Sequence, residues 1–346
     1  MFLLRKPYLL FIGDAKTPVD AKTALGVAEW CPDDVVGELR FPDAAVSTGK
    51  PALSVAQAAA AGAGSLLIGI APPGGQLPAH WLPALIEAAR AGLDIVSGLH
   101  TRLGSFPELV AAAAAARVKL HDVRHGDWPR VTGTGRKRSG QRLLTVGTDC
   151  ALGKKYTALA LARSLQARGV PATFRATGQT GIMISGGGVA IDAVVADFLA
   201  GVAEQLSPDN ASGHWDVIEG QGSLFHPAYA GVSLGLLHGS QPDALVLCHD
   251  PSRTHLDALP GFPTPQLANA IDVYLQAARL TNPAVRCVGI SINSSSLQEA
   301  AWRSYRDRLQ AELGLPVADP LRGGVDVLTE GLAPATTNNK ETCHDV

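Results

Sequence analysis

Aromatic residues are scarce in this 346-residue chain (5%), so its core has to be filled mainly by small and aliphatic side chains. With abundant alanine and glycine, that composition suits tightly packed α/β layers. Excess charge is also missing. Lys and Arg number 29 against 31 Asp and Glu, a net charge of −2, so no nucleic-acid footprint is expected. No apolar run approaches the ~18 residues a membrane helix needs. The opening, Met1 to Pro7, has too short an apolar run for a signal peptide. The five cysteines (Cys31, Cys150, Cys248, Cys287, Cys343) form no CxxC pair and no metal-ligand spacing. They are expected to be reduced thiols of a cytoplasmic protein. There is no internal repeat, and the alanine run at 111–116 is the one low-complexity stretch.

What is present is an alternation of strand and helix signals, long enough for two domains. Strands are expected at 8–14, 35–39, 65–70, 94–98 and 118–123. Helices are expected at about 21–30, 55–61, 81–91 and 106–116, the third stopped by Gly92. The pattern implies a Rossmann-like parallel sheet domain over 1–125. Its first turn, Gly13-Asp14-Ala15-Lys16, lacks the GxGxxG dinucleotide fingerprint, which argues against NAD. His100, in the strand-end loop 98–104, is a weak ligand candidate. Residues 126–141 read as a linker, with Arg136-Lys137-Arg138 as its solvated basic run. A P-loop NTPase-like α/β domain follows over 142–346, with a helix expected at 189–205.

The second domain opens on the most informative stretch. An apolar strand at 143–146 runs into Gly147-Thr148-Asp149-Cys150-Ala151-Leu152-Gly153-Lys154-Lys155-Tyr156-Thr157, and a helix pattern follows. Strand, glycine-bounded loop and lysine at a helix start make a P-loop. The first turn of a helix carries unpaired N–H groups and partial positive charge, and lysine adds a full charge. The loop departs from the common pattern twice. Five residues, not four, separate Gly147 from Gly153, and Lys155 replaces the Ser or Thr that normally holds Mg²⁺. Thr157 lies about 200° further round the helix and cannot take over. The loop therefore suits phosphates neutralised by two lysines, and no metal is expected.

Two further loops end strands of this domain. The first is Thr177-Gly178-Gln179-Thr180-Gly181. The second is Glu219-Gly220-Gln221-Gly222-Ser223, on a strand in the Walker B place. Strand ends of a parallel sheet share one edge, so the loops are expected to converge on the P-loop. Glu219 is there either as a general base or as the charge partner of Lys154.

The longer loop beginning Gly-Thr-Asp, and the Glu-Gly-x-Gly strand end, resemble those of dethiobiotin synthetase. The whole set, Gly-Thr-Asp-Cys-Ala-x-Gly-Lys-Lys, Ala-Thr-Gly-Gln-Thr-Gly and Glu-Gly-Gln-Gly-Ser-Leu-x-His-Pro, resembles a more specific bacterial family. That family has a Rossmann-like N-terminal part and a P-loop C-terminal part. It was formerly labelled a domain of unknown function, and it includes D-glutamate N-acetyltransferases. The resemblance implies transfer of an acetyl group from acetyl-CoA to a D-amino acid, D-glutamate first, in the cytoplasm. On that reading Gly147, Thr148, Asp149, Gly153, Lys154, Lys155, Tyr156 and Thr157 bind the cofactor phosphates. Glu219, His226 and Asp149 are candidates for acid–base work. Arg175, Gln179, Thr180, Gln221 and Ser223 are candidates to hold the acceptor, and a homo-oligomer is expected. Two other readings stand beside it: a Mg-ATP-dependent ligase or kinase of dethiobiotin-synthetase type, and a nucleotide-binding module without turnover.

Overall fold

The computed structural model describes residues 3–70, 72, 75–126 and 128–332. Two compact units divide the chain. One is the chain up to Val131 together with Ala176–Phe198; the other is Thr132–Arg175 together with the chain from Leu199 on.

In the first unit, β1 (Tyr8–Gly13), α1 (Lys22–Trp30), β2 (Val35–Arg40), α2 (Val55–Ala60) and β3 (Ser65–Ile68) are followed by α3 (Leu82–Arg90), β4 (Asp94–Ser97), α4 (Pro107–Ala116) and β5 (Leu120–Asp122). The sheet is parallel throughout, in the order β2-β1-β3-β4-β5. Strands β1, β3 and β4 are buried at every position, as a sheet covered on both faces requires. The strand order reverses between β1 and β3, where a Rossmann-like sheet opens its ligand crevice. There Asp14 accepts hydrogen bonds from Trp81 Nε1 (2.9 Å) and pairs with His80 Nε2 (3.1 Å).

The second unit begins with β6 (Gln141–Gly147), α5 (Lys154–Ala167) and β7 (Ala172–Arg175). The chain then passes through α6 (Gln179–Ser185), which belongs to the first unit. It returns in α7 (Ala196–Leu206), β8 (Trp215–Ile218), α8 (Ala230–Ser240) and β9 (Ala244–His249). A hairpin of β10 (His255–Leu256) and β11 (Leu259–Pro263) leads to α9 (Leu267–Arg279), β12 (Arg286–Ile292), α10 (Glu299–Leu313), β13 (Val317–Ala318) and α11 (Asp326–Thr329). The parallel sheet runs β13-β12-β9-β6-β8-β7, with β6 at its centre. Leu143, Val217 and Val246 of three adjacent strands pack with Leu161 and Leu165 of α5, which fixes that helix over the sheet.

Two expectations need correction, and one helix had no expectation. The helix expected over 189–205 begins only at Ala196, because Val189 and Ile191 donate to the carbonyls of Ala176 and Thr177, and only a 3₁₀ turn at Ile191–Ala193 precedes it. Helix α8 was not foreseen, since its three glycines depress helix propensity. The basic run is not simply solvated. Arg138 is buried and donates to the carbonyls of Ser207 (2.7 Å), Gly239 (2.8 Å) and Ser240 (3.1 Å). Those are end carbonyls of α7 and α8, which lack intrahelical partners and attract cations. Burial pushes Arg138 down to about 10.

No helix among the described residues is long and apolar enough to cross a membrane. Cys31, Cys150, Cys248 and Cys287 are free thiols; Cys343 lies outside the described residues.

Candidate active site

β6 delivers Gly147 to the sheet edge, and the loop returns to α5 through Gly153, whose left-handed φ of +99° favours glycine. The first turn of α5 follows. Lys154 is buried, and its Nζ curls back to donate to the carbonyl of Asp149 at 2.7 Å. Burial pushes its pKa down. A buried ammonium held chiefly by a carbonyl is poised to gain from an anion. Lys155 is half-buried with Nζ 4.3 Å from the ring centroid of Tyr156, a cation–π contact.

The end of β8 is pressed against this loop. A side chain at Gly220 would put its Cβ 1.7 Å from the carbonyl oxygen of Thr145, so only glycine fits. The Gly220 N–H donates to Thr145 Oγ1 (2.9 Å), and that hydroxyl donates to the carbonyl of Lys154 (3.2 Å). Ser223 Oγ and Tyr274 Oη both donate to the carbonyl of Gly147, at 2.9 and 2.8 Å. Thr148 is fully buried and shares a 3.0 Å hydrogen bond with His249 Nδ1. Burial pushes His249 down to about 4, so it is neutral at neutral pH. Thr157 is buried too, its hydroxyl bonded to Ser291 of β12 at 2.7 Å. With lysine at 155 and Thr157 engaged in the core, these residues do not fit the usual P-loop Mg²⁺ arrangement.

Asp149 is the hub of the loop. Its carbonyl takes Lys154. Its Oδ1 accepts the Cys150 N–H (2.7 Å), and its Oδ2 accepts from Arg253 and from the Asp257 N–H (both 2.8 Å). His226 is buried; its Nδ1 accepts the Ala228 N–H (3.3 Å), so Nε2 carries the proton and donates to the carbonyl of Asp257 (3.1 Å). Asp149, Cys150 and His226 bring one potential metal-ligand atom each within 4.8 Å of one another. Their bonding argues against a metal cage. The carboxylate already holds a guanidinium and two N–H groups, and both imidazole nitrogens are engaged. Burial pushes the Cys150 thiol up to about 11, which keeps it protonated.

Glu219 is buried where β8 ends, its N–H donating to the carbonyl of Arg175. Arg175 Nε is paired with the buried Asp216 at 2.8 Å. The Gln221 carbonyl accepts from Ser233 Oγ at 2.7 Å. Gln179 and Thr180 open α6 in the first unit, where Thr180 Oγ1 lies 3.3 Å from Thr23 Oγ1. His100 is exposed, and its carbonyl lies 2.9 Å from His125 Nε2.

Residues 43–126 match a family model described as a domain of unknown function (DUF1611_N), Rossmann-like domain. Residues 130–329 match its companion, the P-loop domain (DUF1611_C). The chain belongs to the DUF1611 family. The crystal structure of a DUF1611 family protein from Anabaena variabilis aligns with a TM-score of 0.82 at 35% identity, covering 95% of this chain and 99% of that one. Two relatives are named D-glutamate N-acetyltransferase. One, from Pseudoalteromonas sp, is 50% identical over 329 residues, which is 95% of this chain and 99% of the relative. The other, from Tritonibacter scottomollicae, is 47% identical over 331 residues, with 96% and 99% covered.

Sequence reasoning missed four residues that build this DUF1611 P-loop: Thr145, His249, Arg253 and Tyr274. Thr145, inside β6, and His249, at the end of β9, were readable as polar residues in apolar runs. Arg253 and Tyr274 reach the loop through tertiary packing alone, and no local pattern marks them.

Proposed function

We propose that this chain transfers the acetyl group of acetyl-CoA to the amino group of D-glutamate. The observation that carries the reaction is the near-full-length match, at 50 and 47% identity, to two proteins named for it. The geometry supports the place of the donor. Lys154, Lys155 and the N–H groups of residues 151–154 offer charge and donors to a pyrophosphate without calling on a metal ligand. The side chains of Thr148, Asp149 and Thr157 face the protein and act by shaping the loop. Free thiols and a CoA donor fit the cytoplasm.

The amine must attack as a free base. It forms a C–N bond to the thioester carbonyl and gives up its surplus proton to the base, the oxyanion collapses with cleavage of the C–S bond, and CoA leaves as a thiolate that takes up that proton. We assign the base to Glu219, a carboxylate buried where β8 ends against the P-loop strand, while Asp149 and His226 serve to hold the loop in shape. N–H groups later in the Gly220–Ser223 turn serve the oxyanion, and Arg175, Gln221 and Ser223 remain the candidates on the acceptor side. The site proposed here uses residues of the second unit only. Gly220 packs beside Lys154, so Glu219 stands near the phosphates. The pantetheine arm, about 14 Å long when extended as four peptide-like units, must curve back over the strand ends to reach it. Glu219→Gln tests the assignment. Turnover of acetyl-CoA and D-glutamate should fall roughly 10²–10⁴-fold, with CoA affinity held within about twofold. Turnover close to wild type would remove Glu219 from the mechanism.

A further inference from the structure

The turn after β9 places Arg253 against the P-loop. Its side chain is 24% exposed, and its NH1 is held by two carboxylates, Asp149 Oδ2 at 2.8 Å and Asp257 Oδ1 at 3.3 Å. Nε and NH2 make no hydrogen bond among the described residues. Three N–H donors of a guanidinium already fixed in orientation are therefore uncommitted. Asp149 in turn holds two cations at once, Lys154 on its carbonyl and Arg253 on its carboxylate. One residue of the loop thus ties a buried ammonium and a half-buried guanidinium to the same short segment.

A surface ion pair alone would explain little of this. Asp149 is fully buried, and a buried carboxylate with a single long-chain cation partner is an expensive way to fasten a turn. The backbone N–H of Asp257 already fastens it. What the pairing adds is an arginine whose free edge is fixed beside a phosphate-binding loop. Guanidinium matches phosphate oxygens with paired N–H donors, and pre-fixing it lowers the entropy lost on binding. A loop that carries Lys155 in place of the Mg²⁺ hydroxyl has more need of protein cations to neutralise a diphosphate.

We propose that Arg253 is a third cation of the donor site, and that its Nε and NH2 edge binds the pyrophosphate of CoA alongside Lys154 and Lys155. This rests on the reading that the P-loop holds the donor phosphates. Asp149 is then a positioning residue, which fixes the guanidinium.

The test is equilibrium binding of CoA by calorimetry to the wild-type chain, Lys154→Ala, Arg253→Lys and Arg253→Gln, with thermal melts to confirm folding and steady-state kinetics beside them. Glutamine keeps an N–H for Asp149 without the charge, so it separates fastening from phosphate binding. Arg253→Gln should weaken CoA roughly ten- to a hundredfold, and Arg253→Lys should recover part of that. The KM for D-glutamate should stay near the wild-type value in both. CoA affinity unchanged in Arg253→Gln, with Lys154→Ala weakened, overturns the Arg253 assignment alone. Unchanged affinity in both variants overturns the placement of the phosphates first. A rise in the D-glutamate KM without loss of CoA affinity would assign the guanidinium to the acceptor's carboxylate instead.

Discussion

Gly220→Ala probes the contact on which the second unit's site is built. The new Cβ would stand 1.7 Å from the Thr145 carbonyl oxygen and 2.8 Å from its carbon, both backbone atoms of the central strand β6. Neither can swing away. The end of β8 must move off β6 by about 1.5 Å to restore ordinary contact distance. That displacement breaks the Gly220 N–H bond to Thr145 Oγ1, worth about 1 kcal/mol. The strain of overpacking adds about 1–3 kcal/mol. A loss of roughly 2–4 kcal/mol is expected in urea unfolding. Because Thr145 Oγ1 also holds the carbonyl of Lys154, CoA binding should weaken in the same variant. Gly231→Ala in α8 is the control, since its Cβ would meet nothing within 4 Å. It should be neutral or stabilising by up to about 1 kcal/mol. If Gly220→Ala unfolds within about 0.5 kcal/mol of the wild type and binds CoA normally, the close packing of β8 on the P-loop strand is wrong.

Two further outcomes are expected. His249 has a folded pKa pushed down to about 4, against 6.5 in the unfolded chain. Above pH 6.5 both states are neutral there. Between 6.5 and 4 the unfolded chain takes up a proton that the folded one refuses, so stability falls with pH by up to roughly 3 kcal/mol. Denaturation measured across that range should show this slope, and His249→Gln should flatten it; an equal slope in the variant would rule out His249 as its source. Lys155→Thr should weaken acetyl-CoA binding, measured by calorimetry, and leave transfer without a metal requirement. Transfer by that variant that came to depend on Mg²⁺ would show that the usual P-loop arrangement is still latent there.

Much of the architecture was legible because parallel strands are short apolar runs bounded by glycine or polar residues. Runs such as Leu9 to Ile12 and Leu143 to Val146 have few other ways to bury themselves. The P-loop was legible because its glycines and lysines are adjacent in sequence. Its supports were not. Tyr274 reaches Gly147 from a helix more than a hundred residues on, and Arg253 reaches Asp149 from a turn whose sequence, Asp250-Pro251-Ser252-Arg253, carries no motif. The Gly178–Gly181 stretch looked like one more strand-end loop of the P-loop sheet. It does follow the end of β7, but Gln179 then opens a helix that packs within the first unit, a partition decided by tertiary contacts. Arg138 misled for the opposite reason. Basic residues in a Gly- and Ser-rich stretch usually face water, but here two helix ends offer more carbonyls than the backbone can satisfy.

The central claim is that the P-loop serves an acyl donor without Mg²⁺. Its most direct test is formation of N-acetyl-D-glutamate from acetyl-CoA and D-glutamate by the purified chain in excess EDTA, followed by mass spectrometry. The account predicts turnover at the rate seen with added Mg²⁺. No acetylated product under either condition, together with ATP hydrolysis that appears only when Mg²⁺ is supplied, would contradict it.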